Sequence, residues 1–317
     1  MSINIIGTGS YVPEKVLTND DLSNMVDTSD EWIMQRVGVS ERHIAVNESA
    51  ADMAIKAAEK ALENANLAAK DLDLIIASTL TSDTACPTVA GYVQAGVGAL
   101  CPAFDINSAC SGFLFALDTA ASFVSRGGFD KILVVGAERV SKIVNWKDRS
   151  TCVIFGDGAG AAVVTRGDGY LASKLVTSGG DNVIKIPNYI GTSVFYKKEE
   201  DPPYIFMDGQ ETFKFAVNSI VDDITDVSKK ANIALSDIDH VVLHQANIRI
   251  MDYASKRLKI PKEKFYANIG NYGNTSSASV AIALDEVARS GKLKRGDIVA
   301  MSAFGGGLSS AACILRW

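Results

Sequence analysis

Residues 103–128 read AFDINSACSGFLFALDTAASFVSRGG: a short apolar strand, a turn at Asn107-Ser108-Ala109, then a helix. Phe113, Leu114, Leu117, Ala120, Ala121 and Val124 recur at helical spacing, and Gly127-Gly128 supplies the stop. Cys110 falls where the helix opens. Unpaired N–H groups and the positive end of the helix dipole gather there, so the position predicts a thiol that ionises more readily than a free one. Two readings of Cys110 stand side by side. It is a nucleophile at a strand-to-helix junction, or a small inert residue packed behind a strand.

Composition narrows the classes. The chain has 317 residues, 47% hydrophobic and 21% charged, which suits one large layered domain or two of ordinary size. No apolar run approaches the roughly 20 residues of a membrane span, so no membrane role is expected. The start, MSINIIGTGSYVPEK, has neither a basic leader nor a long apolar run, and a secretory signal is not expected. The five cysteines, Cys86, Cys101, Cys110, Cys152 and Cys313, are odd in number and scattered, which predicts a reducing, cytoplasmic setting without a disulfide framework. CxxC and HExxH are absent, so no metal site is expected. A net charge of −6 argues against nucleic acid as the main partner.

Along the chain, residues 3–8 read as a strand closed by Gly7 and Gly9, and Thr28-Ser29-Asp30-Glu31 as a helix start. Residues 49–66 read as an alanine-rich amphipathic helix, 72–79 as a buried strand and 132–136 as another. Residues 151–166, TCVIFGDGAGAAVVTR, predict two strands around a glycine-rich turn; the spacing is not GxGxxG and no helix follows, which excludes a dinucleotide site. A duplication emerges as well. Ala65-Asn66-Leu67-Ala68 recurs as Ala231-Asn232-Ile233-Ala234, and Asp71-Leu72-Asp73 as Asp237-Ile238-Asp239, each 166 positions on. The strand from Ile132 matches the one from Ile298 at the same offset, and Ala116-Leu117-Asp118 matches Ala283-Leu284-Asp285 at 167. Four pairs in one order predict two similar halves, residues 1–167 and 168–317, each alternating strands and helices.

The same offset orders the chemistry. Cys110 maps onto Ser276, beside the loop Asn271-Tyr272-Gly273-Asn274-Thr275, and position 78 maps onto His244 at the end of Val241-Val242-Leu243. Strand ends in such folds are where ligands sit. Of the three histidines, His43 lies in a polar segment and reads as a surface residue, and His240 begins a strand. That leaves His244 at a strand-to-helix turn. A lone histidine is often structural, and an asparagine in a glycine-framed loop often serves the turn. Cys110, His244 and Asn274 together make a nucleophile with a proton-handling and amide-donor pair.

Several segments jointly resemble one family. They are TSDEWIMQRVGVSERHI from Thr28, PAFDINSACSGF around Cys110, DRSTCVIFGDGAGAAV from Asp148 and MDGQETFKFAV from Met207, with HQANIRI from His244, YGNTSSAS from Tyr272 and AFGGG from Ala303. From end to end the chain resembles the β-ketoacyl-acyl-carrier-protein synthase III family, the condensing enzymes that begin bacterial type II fatty acid synthesis. The resemblance implies an α/β, five-layered αβαβα thiolase fold of two duplicated halves, a homodimer, and a Cys110-His244-Asn274 site. It implies acyl transfer from acyl-CoA to Cys110, then decarboxylative condensation with malonyl-acyl carrier protein. CoA is then part of the substrate, and no cofactor is called for. The backbone N–H groups of Cys110 and Gly306 would form the oxyanion hole. Trp32 and Arg149 would sandwich the adenine of CoA, Arg36 would meet its phosphates, and Thr28, Gly209 and Asn247 would complete the CoA contacts. Lys214, Arg249, Lys256 and Arg257 match the family's patch for acidic carrier protein; as a bare pattern they are equally a solvated helix face. Cys86, Phe304, Leu308 and Ser310 fall at the acyl pocket.

Two positions depart from the acetyl-using pattern: Cys86 stands before Pro87 where that pattern has Phe, and Ser310 replaces a Trp. The smaller residues predict room for a longer or branched starter unless Leu308 or residues 191–204 fill it. Two other readings remain open, a relative that acylates a secondary-metabolite precursor and a non-catalytic module that binds acyl-CoA or carrier protein.

Overall fold

The computed structural model describes residues 2–187 and 203–317. In the first half, strand β1 (Ser2–Tyr11) is followed by helix α1 (Asp30–Arg36) and helix α2 (Ala50–Ala65). Strand β2 (Leu74–Ser78), helix α3 (Val89–Val97), strand β3 (Ala103–Ile106), helix α4 (Gly112–Arg126) and strands β4 (Lys131–Glu138) and β5 (Gly158–Gly167) complete it. Among the described residues the second half repeats the series without a counterpart of α1: β6 (Tyr170–Thr177), α5 (Gly209–Ala231), β7 (His240–Leu243), α6 (Ile248–Leu258), β8 (Phe265–Tyr266), α7 (Ala278–Arg289), β9 (Ile298–Gly305) and β10 (Ser309–Arg316).

Among the described residues two five-stranded sheets form, ordered β1-β5-β4-β2-β3 and β6-β10-β9-β7-β8. The senses match strand for strand: β1–β5 and β5–β4 are antiparallel while β4–β2 and β2–β3 are parallel, and the second sheet copies this. Leu74 lies beside Ile132 and His240 beside Val299, so the halves are offset by 166 residues at β2/β7 and by 167 at β4/β9. Register thus moves the counterpart of Ile132 one place, from Ile298 to Val299. Even the helix ends repeat. Asn66 and Asn232 cap α2 and α5 in the left-handed conformation, with φ of 50° and 55°.

Helices α4 and α7 lie between the sheets, and the central core joins Phe113, Leu114 and Leu117 of α4, Val280 and Leu284 of α7, Ile3 and Ile132 of one sheet and Met301 of the other. Helices α2 and α3 cover the outer face of the first sheet, and α5 and α6 that of the second. The result is the five-layered, duplicated αβαβα architecture of the thiolase superfamily. Layering also corrects two local expectations. Strand β1 runs through Gly7 and Gly9 instead of ending there, because α2 crosses so closely that a Cβ on Gly9 would lie 2.4 Å from the Ala61 nitrogen. Residues 151–166 are not a hairpin: Arg149–Cys152 is a short helix and β5 a single strand. A Cβ on Gly160 would lie 2.5 Å from that of Ala281, so its glycine serves contact with α7 and not a turn. His43 is also no free surface group; it is half-buried, bonded through Nδ1 to the Pro13 carbonyl, with its ring 5.5 Å from that of Tyr272.

Candidate active site

Both sheets direct their parallel strand ends toward one cleft. Cys110 sits in a tight turn, Ala109–Ser111, between β3 and α4, and Ala109 is held at φ +46°. The end of β9 lies against this turn. A Cβ on Gly305 would be 2.7 Å from the Cys110 nitrogen, so only glycine permits the approach. His244 follows β7; its N–H donates to the Ser302 carbonyl at 2.8 Å and its ring packs edge-on to Phe304 at 5.1 Å. Asn274 is fixed by its backbone: its N–H donates to Ile154 O at 2.8 Å and its carbonyl accepts from Gly156 N at 3.1 Å. Residues 151–166 thus serve the site from below.

Cys110, His244 and Asn274 line the same cleft, with Leu80, Val140, Ile143, Ile184, Ile205, Phe213 and Phe304 making it apolar. His244 and Asn274 are 2% and 5% exposed. Burial pushes the His244 ring down to about 3, so it is neutral across the physiological range. Its Nδ1 lies 2.6 Å from Ser279 Oγ, and that oxygen also receives the Gln245 N–H at 3.4 Å. In the tautomer where the Ser279 hydroxyl donates to Nδ1, Nε2 carries the N–H and is the donor. Asn274 Oδ1 accepts from the Ser276 N–H at 2.8 Å, so its NH2 is the free donor. The pair offers two neutral donors to the cleft.

Cys110 departs from expectation. Burial pushes its thiol up to about 12, with Ser276 lowering it by hydrogen bonding and Glu138 raising it by charge. Helix α4 begins only at Gly112, two residues beyond Cys110, and burial removes the thiol from water. Ser276, the residue reached by the 166-residue offset, accepts from Cys110 Sγ at 3.3 Å. The sequence did not signal Glu138 or Ser279. An acid ending the otherwise buried strand KILVVGAE was the available sign for Glu138; for Ser279 it was a third serine in the run after Asn274.

A second, open cleft shares Ile154, Gly209, Phe213 and Asn247 with the first and forms its mouth. Trp32, Arg36, Arg149, Lys214 and Arg249 line it. Ser29 caps α1 by accepting the Trp32 N–H, and the Arg36 and Arg149 guanidiniums lie 5.1 and 4.9 Å from the indole centroid. Arg149 is held by the Asp27 carbonyl at 2.7 Å. Asn247 caps α6 and donates to Arg36 O at 2.9 Å. Arg249, Lys256 and Arg257 are exposed along one face of α6, with Arg257 donating to Tyr253 OH at 2.7 Å.

Other sequence-selected residues fall elsewhere. Thr28 lines neither cleft, and its Oγ1 is buried without a hydrogen-bond partner. Gly306 lines the apolar cleft beside Gly305. Of the four acyl-pocket residues, Phe304 alone lines the cleft. Ser310 does not line it: it stands directly across from Phe304 on the neighbouring strand, and its hydroxyl donates to Asp223 at 2.6 Å beside the Asp223–Lys174 ion pair. Leu308 is half-buried in the β9–β10 turn, and Cys86 is exposed in the loop before α3. Of the other candidate filler, residues 191–204, residues 191–202 lie outside the described residues.

Comparison with known proteins agrees with this geometry. Family models described as 3-oxoacyl-[acyl-carrier-protein (ACP)] synthase III and as its C-terminal part match residues 104–179 and 228–317. The chain is 49% identical to a beta-ketoacyl-[acyl-carrier-protein] synthase III of Caldanaerobacter subterraneus subsp. tengcongensis, over 100% of this chain and 98% of that protein. It superposes on the crystal structure of 3-oxoacyl-[acyl-carrier-protein] synthase III from Aquifex aeolicus with a TM-score of 0.94 at 47% identity, covering 99% and 100% of the two chains. A priming beta-ketosynthase from the R1128 polyketide biosynthetic pathway is similar at 34% identity and a TM-score of 0.92, covering 99% and 96%. Fold, cleft and kinship converge on one conclusion: the chain belongs to the 3-oxoacyl-[acyl-carrier-protein] synthase III family and is an acyltransferase, a condensing enzyme that initiates fatty acid synthesis.

Proposed function

We propose that Cys110, His244 and Asn274 carry the condensation in two half-reactions. Cys110 attacks the thioester of a short acyl-CoA, and CoA leaves as the thiol. Malonyl-acyl carrier protein then enters; CO2 is lost, and the carbanion attacks acyl-Cys110 to give 3-ketoacyl-acyl carrier protein. The observation that carries this reading is the lining of one apolar cleft by a thiol and two neutral donors from different loops. His244 Nε2–H and Asn274 NH2 donate to the malonyl thioester oxygen as it becomes an enolate. Donors that are already fixed and dry act most strongly where negative charge develops. The N–H groups of Cys110 and Gly306, brought together by the close approach of Gly305, serve the oxyanion of the acyl-transfer steps.

The mouth takes CoA, with Trp32 and Arg149 around the adenine, Arg36 at the phosphates and Gly209 and Asn247 along the pantetheine arm; Thr28 supports α1 from behind. A flat ring between Trp32 and Arg149 needs about 7 Å, two van der Waals spacings, so the 4.9 Å stack parts on binding. Lys214, Arg249, Lys256 and Arg257 receive the acidic carrier protein. The reading includes a cytoplasmic enzyme, halves dividing between residues 167 and 168, and a homodimer. Edge strand β3 is half-buried throughout and Leu100 beside it is 84% exposed, which supports a second copy covering that face. Among the described residues no helix is long and apolar enough to cross a membrane. The test is intact-protein mass after incubation with acyl-CoA, followed by peptide mapping. A single acyl group on Cys110 is expected; no adduct, or label on Cys86 or Cys152, rejects the assignment.

A further inference from the structure

Glu138 ends β4, is fully buried, and has no part in the chemistry above. Its carboxyl accepts from Thr81 Oγ1 at 2.5 Å, Ser277 Oγ at 2.7 Å, Leu80 N at 3.2 Å and Ser276 Oγ at 3.3 Å. With Thr79 Oγ1 at 3.4 Å, four hydroxyls and an N–H converge on two oxygens, which suits a carboxylate, a group that only accepts. Ser276 also accepts from Cys110 Sγ, so thiol, hydroxyl and carboxyl form one chain of hydrogen bonds, every link donating toward Glu138. The surrounding charged groups are otherwise engaged. Arg139, next along the strand, reaches Ala45 O, Val46 O and Asp83. Lys142 pairs with Asp83, Asp157 accepts from Ser141 and Ala45, and His244 is bonded to Ser279.

We propose that Ser276 and Glu138 form the proton relay that activates Cys110 for acyl transfer. The proposal rests on Cys110 being the acylated residue. As Sγ attacks the thioester carbon, the Sγ–H bond breaks and its proton passes to Ser276 Oγ, whose own proton passes to Glu138 Oε1. When the tetrahedral intermediate collapses, the C–S bond to CoA breaks and its electron pair leaves with the CoA sulfur. The proton returns through Ser276 to that sulfur. Cys–SH and acyl–S–CoA become acyl–S–Cys and HS–CoA, with no proton gained or lost. Burial raises both the thiol and the carboxyl, so a thiol that does not ionise alone stands next to a carboxylate made more basic. Glu138 touches no substrate; it acts through Ser276 and holds the proton.

The test measures single-turnover CoA release from about pH 5.5 to 9.5 for the wild type, Glu138→Gln and Ser276→Ala, with the acyl label mapped. The wild-type rate should level off once Glu138 is ionised. Both variants should lose on the order of 10²–10⁴-fold near pH 7 and then climb about tenfold per pH unit toward the ionisation of the thiol itself. CO2 release by enzyme acylated beforehand should fall far less. Ser276→Ala leaves Glu138 its bonds to Thr81, Ser277 and Leu80, so it tests the relay even where Glu138→Gln does not fold. Wild-type rate and pH profile in folded Ser276→Ala would overturn the relay. So would faster acylation by Glu138→Gln at low pH, which would mark the carboxylate as merely opposing the thiolate. Wild-type label away from Cys110 would remove the nucleophile assignment and the relay together. Label on Cys110 with unchanged variant profiles would remove the relay alone.

Discussion

The two halves share strand order and strand sense, yet divide the work. In the first, the loop that brings its strand ends to the cleft carries Cys110, behind a positive-φ Ala109. In the second, the equivalent region carries Asn274 and a positive-φ Ser276, and the strand end beside it carries His244. The excursions between first strand and first long helix diverge further. Residues 12–49 supply Trp32 and Arg36 to the mouth. Residues 178–187 and 203–208 supply Ile184, Ile186, Ile205 and Met207 to the apolar wall. Duplication sets two strand-end clusters face to face. In the proposed mechanism a handful of side chains then makes one cluster the nucleophile and the other the donor pair.

This division can be broken first at the nucleophile. Cys110→Ser should abolish acyl transfer from CoA, by roughly 10³-fold or more, because a hydroxyl is far harder to ionise than a thiol. Ser276 across the interface should not substitute. CoA release and adduct mass measure this; substantial residual acylation would break the asymmetry between halves. Next come His244→Ala and Asn274→Ala, expected to cost on the order of 10²–10³ in CO2 release and much less in CoA release. Burial holds the folded-state His244 near 3, below its ordinary 6.5. No His244 ionisation should therefore appear in the decarboxylation profile between about pH 5 and 9. The neutral ring's contribution to stability is complete above 6.5 and is lost as pH falls toward 3.

A smaller contrast concerns the two sides of the mouth. Arg249→Glu, on second-half helix α6, should raise KM for malonyl-carrier protein about tenfold and weaken its salt dependence, leaving acylation nearly intact. Trp32→Ala, on first-half helix α1, should do the reverse, raising KM for acyl-CoA by roughly 3- to 30-fold. Equal loss in both half-reactions from either change would show that the mouth is not divided. The smallest effect is expected at Cys86. Its side chain can reach an acyl pocket only across an interface, since it is exposed on the single chain. Cys86→Phe should narrow starter use toward acetyl by about fourfold per methylene excluded, following roughly 0.8 kcal/mol each. The readout is kcat/KM across acetyl-, butyryl-, isobutyryl- and hexanoyl-CoA. An unchanged range would leave starter size to residues already in the cleft.

Local patterning in the sequence determined most of the elements, the duplication and the three side chains proposed to react. Capping by Ser49 and Asn66, helical spacing after Cys110 and repetition at 166 residues are properties of neighbours along the chain. Tertiary structure decided whatever depends on neighbours in space. Gly9 and Gly160 read as strand ends and turns until α2 and α7 are laid across them. Ser310 reads as a pocket residue, and only the fold brings its hydroxyl onto Asp223 of α5. A helix start predicts an acidic thiol at Cys110, whereas desolvation, which depends on everything packed around it, makes the resting thiol weak. Glu138 shows locally only as an acid ending a buried strand; it becomes a candidate base only where Ser276, 138 residues away, bridges it to the thiol.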